Sequence, residues 1–383
     1  MNERPPNIRH YAALAATVRH GSLSRAARAV NLSQPALTQA IGGLEATLGV
    51  TLFERGPAGM TPTEPARLLA SRAKVAIEQI GSPRVTGTQL RAFLAVVRAG
   101  SYASASEATG ISSASLHRAV ADLGVALGQR LLERRGRSLL LTPMGERRAR
   151  GFRLAMAELR AGLAEVAAWQ GKAGGRIVIG AMPLSRARWL PEAIIRFAGQ
   201  HPGVDIAVLE GSHSELVGPL RDGEIDLLVG ALRDDAEVDD LRQEPIFTDS
   251  PALIMRTGHP LAEGGDVAGR LLDYPWILPG KDTPLRRYWE TMLRAQGLEP
   301  PHVEIECGSV MMIRQFLRAS DALSLLSPDQ VQVEIAAGIL TSRPPLVSVS
   351  RTIGISTRDS WRPTAAQAAF VQILRSTGSE VSA

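Results

Sequence analysis

The alternation of apolar and polar positions in the first third of the chain occurs twice. Leu37, Ile41, Leu44 and Leu48 recur at steps of four and three, one stripe of a helix, with Gln34, Thr38 and Gln39 on the other side of its first turns. Seventy-nine positions on, Leu116, Val120, Leu123 and Leu127 repeat the stripe opposite Ser112, Ser113, Ser115, His117 and Arg118. The flanks repeat too: Gly21-Ser22 meets Gly100-Ser101, Leu48-Gly49 meets Leu127-Gly128, and Glu54-Arg55 meets Glu133-Arg134. Self-similarity at a fixed offset marks a duplicated structural unit. Beyond it the match slips by two, pairing Thr61-Pro62 with Thr142-Pro143, which predicts loops of different length.

Each copy predicts three helices and a hairpin. In the first, an alanine-rich helix over 11–19 is stopped by His20-Gly21, and a short helix over 23–30 follows. Ser33 offers its hydroxyl as an N-cap for the third helix, and Pro35 sits in a first turn that needs no N–H from it. A helix over 65–80 and a turn-forming cluster at 81–87 lead into the second copy. After the second hairpin, residues 144–170 run without proline, with only Gly145, Gly151 and Gly162 against helix. Phe152, Met156, Leu159, Leu163 and Val166 give that helix the seam of a two-helix pair.

From residue 176 the pattern changes. Strands over 176–180, 204–209 and 225–230 alternate with helices opening near Ser185 and running over 215–222, the signature of a parallel α/β sheet. After a run at 247–255 the alternation restarts, with strands near 276, 303 and 323 and helices between them. It returns near 345–355 and closes with a helix from 364. Two α/β lobes are expected, with ligands beyond the carboxyl ends of the strands.

Composition narrows the function classes. No apolar run approaches the ~20 residues of a membrane span, and the first residues lack an apolar leader core, so a cytoplasmic protein is expected. Cys307 is the sole cysteine and reads as a small buried hydrophobe. The histidines form no metal-ligand pattern, and neither a serine-nucleophile elbow nor a phosphate-binding loop is present, so no enzyme, metal or cofactor is expected. Residues 1–150 carry 20 Lys and Arg against 9 Asp and Glu, whereas the remainder carries 23 against 29. A basic head on a mildly acidic body points to a polyanion partner for the head.

Two short helices followed by a capped third are helix-turn-helix organisation, in which the last helix enters the major groove of double-stranded DNA. Ser33, Gln34, Pro35, Thr38 and Gln39 are the candidate groove residues of copy one, with Arg55 on phosphate. In copy two the reading face carries Ser112, Ser113, Ser115, His117 and Arg118; Ser113 and His117 are the candidate base readers, and Arg118, with Arg134, Arg135 and Arg137 on the hairpin, suits the DNA backbone.

The stretch GSLSRAARAVNLSQPALTQAIGGLEATLGVTLFER resembles the N-terminal winged helix-turn-helix of LysR-type transcriptional regulators. Copy two resembles it less closely at the recognition helix. Its tail LTPMGERRARGF fits better than MTPTEPARLL, where Glu64 stands at the usual glycine. RIVIGAMPLSRARWLPEAI, LRDGEIDLLVGAL and GHPLA resemble the effector domain of the same family, itself similar to periplasmic binding proteins.

The resemblance implies an α/β protein with an all-α-type head: winged units at 1–80 and 88–143, a linker and dimerisation helix at 144–171, and a two-lobed effector domain at 176–383. It implies a small-molecule effector, an organic acid or a sugar, near Met182, Ser185, Ser212, His213, Thr283 and Ser309. Homo-oligomers (dimer or tetramer) and RNA polymerase are the further partners. Family members normally carry one head, so two in tandem is a departure. The competing reading is a metabolite-binding module whose helical head contacts proteins.

Overall fold

The computed structural model describes residues 7–56, 59–82, 84–135, 138–172, 174–233, 238–262, 267–281, 283–348 and 350–381. The chain divides into two compact units, one built on residues 1–176, 203–205 and 221–224 and the other on 177–202, 206–220 and 225–383.

The first unit contains α1 (Ile8–His20), α2 (Leu23–Ala29), α3 (Gln34–Leu48), the hairpin β1 (Phe53–Gly56) and β2 (Gly59–Pro62), and α4 (Glu64–Ile80). The series then recurs as α5 (Gly87–Ala99), α6 (Tyr102–Thr109), α7 (Ser113–Leu127), β3 (Leu132–Arg135), β4 (Ser138–Leu141) and α8 (Pro143–Trp169). Gly21 (φ 62°) and Gly100 (φ 71°) end α1 and α5 in the left-handed region, where a side chain is strained. Ser33 and Ser112 cap α3 and α7 by accepting the N–H of Ala36 and Ser115.

The hairpins correct the expected slip. Phe53 lies opposite Pro62 and Leu132 opposite Leu141, so the offset of 79 runs through both turns. Thr63 and Thr142 then start the following helices, each donating its hydroxyl 2.8 Å to a main-chain carbonyl (Thr51 and Arg130). The Thr-Pro dipeptides misled because Thr61-Pro62 lies inside β2. The counterpart of Gly145 is therefore Ala66 rather than Glu64. A Cβ at Gly145 would run into the Leu131 carbonyl, so glycine lets α8 approach its hairpin closely.

Helices α4 and α8 pair antiparallel. Gly151 of α8 lies against Gln79, Gly162 lies against Leu69 and Arg72, and Arg148 lies against Gly81. A Cβ at Gly151 would sit 2.9 Å from the Gln79 carbonyl oxygen, and one at Gly162 2.9 Å from Leu69 Cδ1. The glycines that weakened the helix prediction thus permit close backbone approach. The apolar seam of α8, expected to face a second chain, is covered here by α4 of the same chain. Phe152, Leu159 and Val166 join Leu69, Ala73, Leu37, Phe93 and Leu116 in one continuous core spanning both copies.

The second unit holds β5 (Arg176–Ala181), α9 (Trp189–Gln200), β6 (Asp205–Glu210), α10 (His213–Arg221), β7 (Leu227–Ala231), β8 (Leu241–Asp249) and β9 (Ala252–Arg256). It continues with β10 (Ile277–Leu278), α11 (Pro284–Ala295), β11 (Ile305–Glu306), α12 (Val310–Ala319), β12 (Ser324–Leu326), α13 (Gln332–Ala336), β13 (Leu340–Arg343), β14 (Arg351–Arg358) and α14 (Ala365–Val381). One lobe is the five-stranded sheet β6-β5-β7-β14-β8, with β5 and β7 parallel and β14 antiparallel to both its neighbours. The other contains the antiparallel sheet β12-β9-β13 and the parallel pair β10 and β11. The apolar run at 247–255 is two strands in different sheets, broken at Ser250-Pro251, where the chain crosses between lobes.

His259 is 1% exposed in the second lobe. Its Nδ1 accepts the Leu261 N–H at 3.0 Å and its Nε2 pairs with the Asp321 carbonyl at 3.1 Å, so the ring is neutral with the proton on Nε2. Burial pulls its pKa below 6.5, against the smaller opposing pull of Asp321. The unfolded chain therefore binds this proton first as pH falls. Stability that is intact above about pH 6.5 drains away toward the lower folded value. Thermal unfolding at about pH 5.5 and 7.5 is expected to show this loss, and His259→Gln to flatten it. An unchanged slope in the variant would assign the pH dependence to other groups.

Candidate nucleic-acid interface and ligand site

The start of α3 is fixed from two directions. Ser33 caps it, and Ser24 on α2 donates its hydroxyl to Gln34 Oε1 at 3.1 Å, which orients the carboxamide and leaves its N–H groups for an acceptor. Gln34, Pro35 and Gln39 are exposed, while Thr38 is half-buried with its hydroxyl donated 3.0 Å to the Gln34 carbonyl. The methyl of Thr38 rather than its hydroxyl is thus the group suited to a base. Leu37, Ala40, Ile41 and Leu44 are buried behind this face.

The same construction recurs on α7. At the offset of 79, Ser113 stands for Gln34, Ala114 for Pro35, His117 for Thr38 and Arg118 for Gln39, and all four are exposed. Ser112 accepts the Ser115 N–H and donates to the Ser115 hydroxyl at 2.8 Å, so it serves the helix start. The imidazole of His117 packs on Tyr102 of α6, ring centroids 4.9 Å apart. Burial raises the Tyr102 pKa, and the charge of Arg134 on the hairpin pulls it the other way, which places Arg134 near the same ring. Ser24 and Tyr102 were not among the expected residues; each acts by orienting one, and neither carries a motif of its own. Arg55 and Arg135 lie in β1 and β3, but their side chains, like Arg137 altogether, fall outside the described residues.

The expected effector residues divide into two groups. Met182, Ser185, Ser212 and His213 follow β5 and β6, while Thr283 and Ser309 open α11 and α12 in the other lobe. Ser185 needs correction. The helix expected there begins at Trp189, and Ser185 is fully buried, its hydroxyl directed at the Met182 and Val229 carbonyls at 2.9 and 3.1 Å. It ties the ends of β5 and β7 together rather than offering a group to a ligand, and Met182 is buried beside it.

Ser212 donates its main-chain N–H and its hydroxyl to Glu215, both at 2.7 Å, and those bonds lower the Glu215 pKa. Thr283 and Ser309 accept the N–H of Arg286 and Met312 as helix caps. Each cap thus presents a helix N-terminus, a favourable place for an anion. Cys307 is half-buried, and its main-chain N–H bonds to Leu278. Among the described residues no group of three or more His, Cys, Asp or Glu is placed to hold a metal.

Comparison with known proteins decides the family. The profile of the LysR substrate binding domain matches residues 170–379, more than half of the chain. That of the bacterial regulatory helix-turn-helix protein, lysR family, matches 8–67 and 88–146. The chain belongs to the LysR family. It is therefore similar throughout to DNA-binding transcriptional regulators governed through an effector-binding domain.

The regulator GalR of Pseudomonas putida is 32% identical over 384 residues, covering 97% of both chains. PcaQ of Agrobacterium fabrum is 28% identical over 300 residues, covering 78% of this chain and 96% of its own. Full-length OxyR from Pseudomonas aeruginosa shares the fold at a TM-score of 0.55, 22% identity and coverage of 76% of this chain and 93% of its own. CbnR does so at 0.53 and 21%, covering 76% and 98%. Among the described residues no helix is long and apolar enough to cross a membrane.

Proposed function

We propose that this LysR-type regulator carries two winged helix-turn-helix heads, residues 1–80 and 88–143, and that both engage double-stranded DNA. The observation that carries the reading is the common register of the two recognition helices. Gln34, Thr38 and Gln39 on α3 and Ser113, His117 and Arg118 on α7 occupy equivalent positions behind equivalent caps. The two separate matches to the helix-turn-helix profile support it, as does the end-to-end match with GalR, whereas PcaQ matches over 300 residues. Arg55 and Arg134, Arg135 and Arg137 hold phosphates. Residues 144–171 link the heads to the effector domain, which binds a small organic anion through His213, Thr283 and Ser309, the donors of Ser212 being taken by Glu215. A sugar acid joins both expected ligand classes. Chains associate into homo-oligomers in the cytoplasm and act on RNA polymerase from the operator.

The test is DNA retention as a function of salt. The logarithm of affinity should fall linearly with the logarithm of salt, and Arg134→Ala with Arg135→Ala should reduce the slope by about two. A head that ignores salt and DNA alike would be a protein-contact module.

A further inference from the structure

The two heads differ in their contents, and the pairing of α4 with α8 fixes how they are related. Arg72 on α4 bonds Glu158 on α8 at 3.3 Å. Their counterparts at the offset of 79 are Gly151 on α8 and Gln79 on α4, and these also lie against each other. A contact from position i to position j, mirrored by one from j to i, is what a two-fold relation produces. A second contact agrees. Asn7, Ile8 and Arg9 at the start of α1 and Thr86, Gly87 and Thr88 at the start of α5 are equivalent residues, and they line one cleft together. Equivalent segments meet each other only where the axis passes.

We infer that a single chain is a complete two-headed reader, with α3 and α7 related by an approximate two-fold axis, and that its DNA target is an inverted pair of unlike half-sites. The inference rests on the proposal that both heads bind DNA. Inverted half-sites follow because recognition helices related by a two-fold read the duplex in opposite senses. Unlike half-sites follow from the side chains. Gln39 suits adenine, whose N6 and N7 it can bond together, while Arg118 in the equivalent position suits the O6 and N7 of guanine. Thr38 offers a methyl to thymine, where His117 offers a ring nitrogen already oriented by Tyr102.

The lock between the helices is itself unsymmetrical. Arg72 meets both Glu158 and Glu165, whereas the position equivalent to Arg72 is a glycine. This favours α4 with α8 over either helix with a copy of itself. With that seam filled from within, two chains are not needed to form the head pair.

Selection from random duplex DNA with the full chain tests this. Wild type should enrich an inverted pair with A·T at the Gln39 position of one half and G·C at the Arg118 position of the other. Arg118→Gln should move only the second half toward A·T, and Gln39→Arg only the first toward G·C, each by about tenfold. These residues are exposed, so neither change threatens folding. A palindrome in which one variant alters both halves would mean that two chains each lend the same head. Direct repeats would overturn the two-fold relation. If nothing is enriched, the DNA reading itself has failed, a result distinct from both.

Discussion

Arg72→Ala is expected to destabilise the first unit by roughly 3–5 kcal/mol, the cost of stripping one partner from a buried ion group. The Arg72 side chain is 6% exposed and holds Glu158 and Glu165, themselves 16% and 17% exposed. The Glu165 bond is bidentate, at 2.5 and 3.2 Å. Burial alone would lower the arginine's pKa, but the hydrogen bonds and charge of Glu165 and Glu158 raise it, so the site stays ionised. Without Arg72, the Glu158 and Glu165 carboxylates lose the guanidinium that both of them hold in the α4–α8 seam. For a unit of this size the melting transition should fall by about 10 °C. Replacing all three with apolar residues, Arg72→Met with Glu158→Leu and Glu165→Leu, should recover most of the loss, because the desolvation cost then disappears as well. A calorimetric scan in which Arg72→Ala melts like wild type would show that this group does not hold the pair.

How far the sequence could be read followed from the range of the interactions involved. Helix stripes, serine caps and glycine stops are local, and they placed α1 to α3 and α5 to α7 within a few residues. The alternation of strands and helices after residue 176 likewise gave the two lobes. What failed was tertiary. The partner of α8 was sought in another chain because a seam of apolar residues says only that a partner exists. The deciding facts, Arg72 opposite Glu158 and glycines opposite Gln79 and Leu69, come from positions far apart in sequence. The wing register went astray over a dipeptide that occurs in a strand in one copy and at a helix start in the other. A helix was expected to open near Ser185, yet its hydroxyl also bonds the Val229 carbonyl of β7, 44 positions away, which only the folded sheet brings near. On the exposed faces of α3 and α7 the residue types could be read from the helical period, while the contacts of Ser24 with Gln34 and of Tyr102 with His117 required the packing of α2 on α3 and α6 on α7.

The second large effect is on DNA. Each bidentate base contact is worth about 1–3 kcal/mol, so Gln34→Ala with Gln39→Ala should lower affinity for the operator by at least tenfold. His117→Ala with Arg118→Ala should cost a similar factor through the other head. All four residues sit on exposed helix faces, so the losses should come without loss of fold. A footprint on the operator compares wild type with these two double variants and tests directly whether one chain lays both heads on DNA. The account predicts that each variant shortens the protected stretch from its own end and leaves the other end covered. It is contradicted if the Gln34 and Gln39 changes abolish the footprint while the His117 and Arg118 changes leave it at full length. The second head would then be a structural spacer.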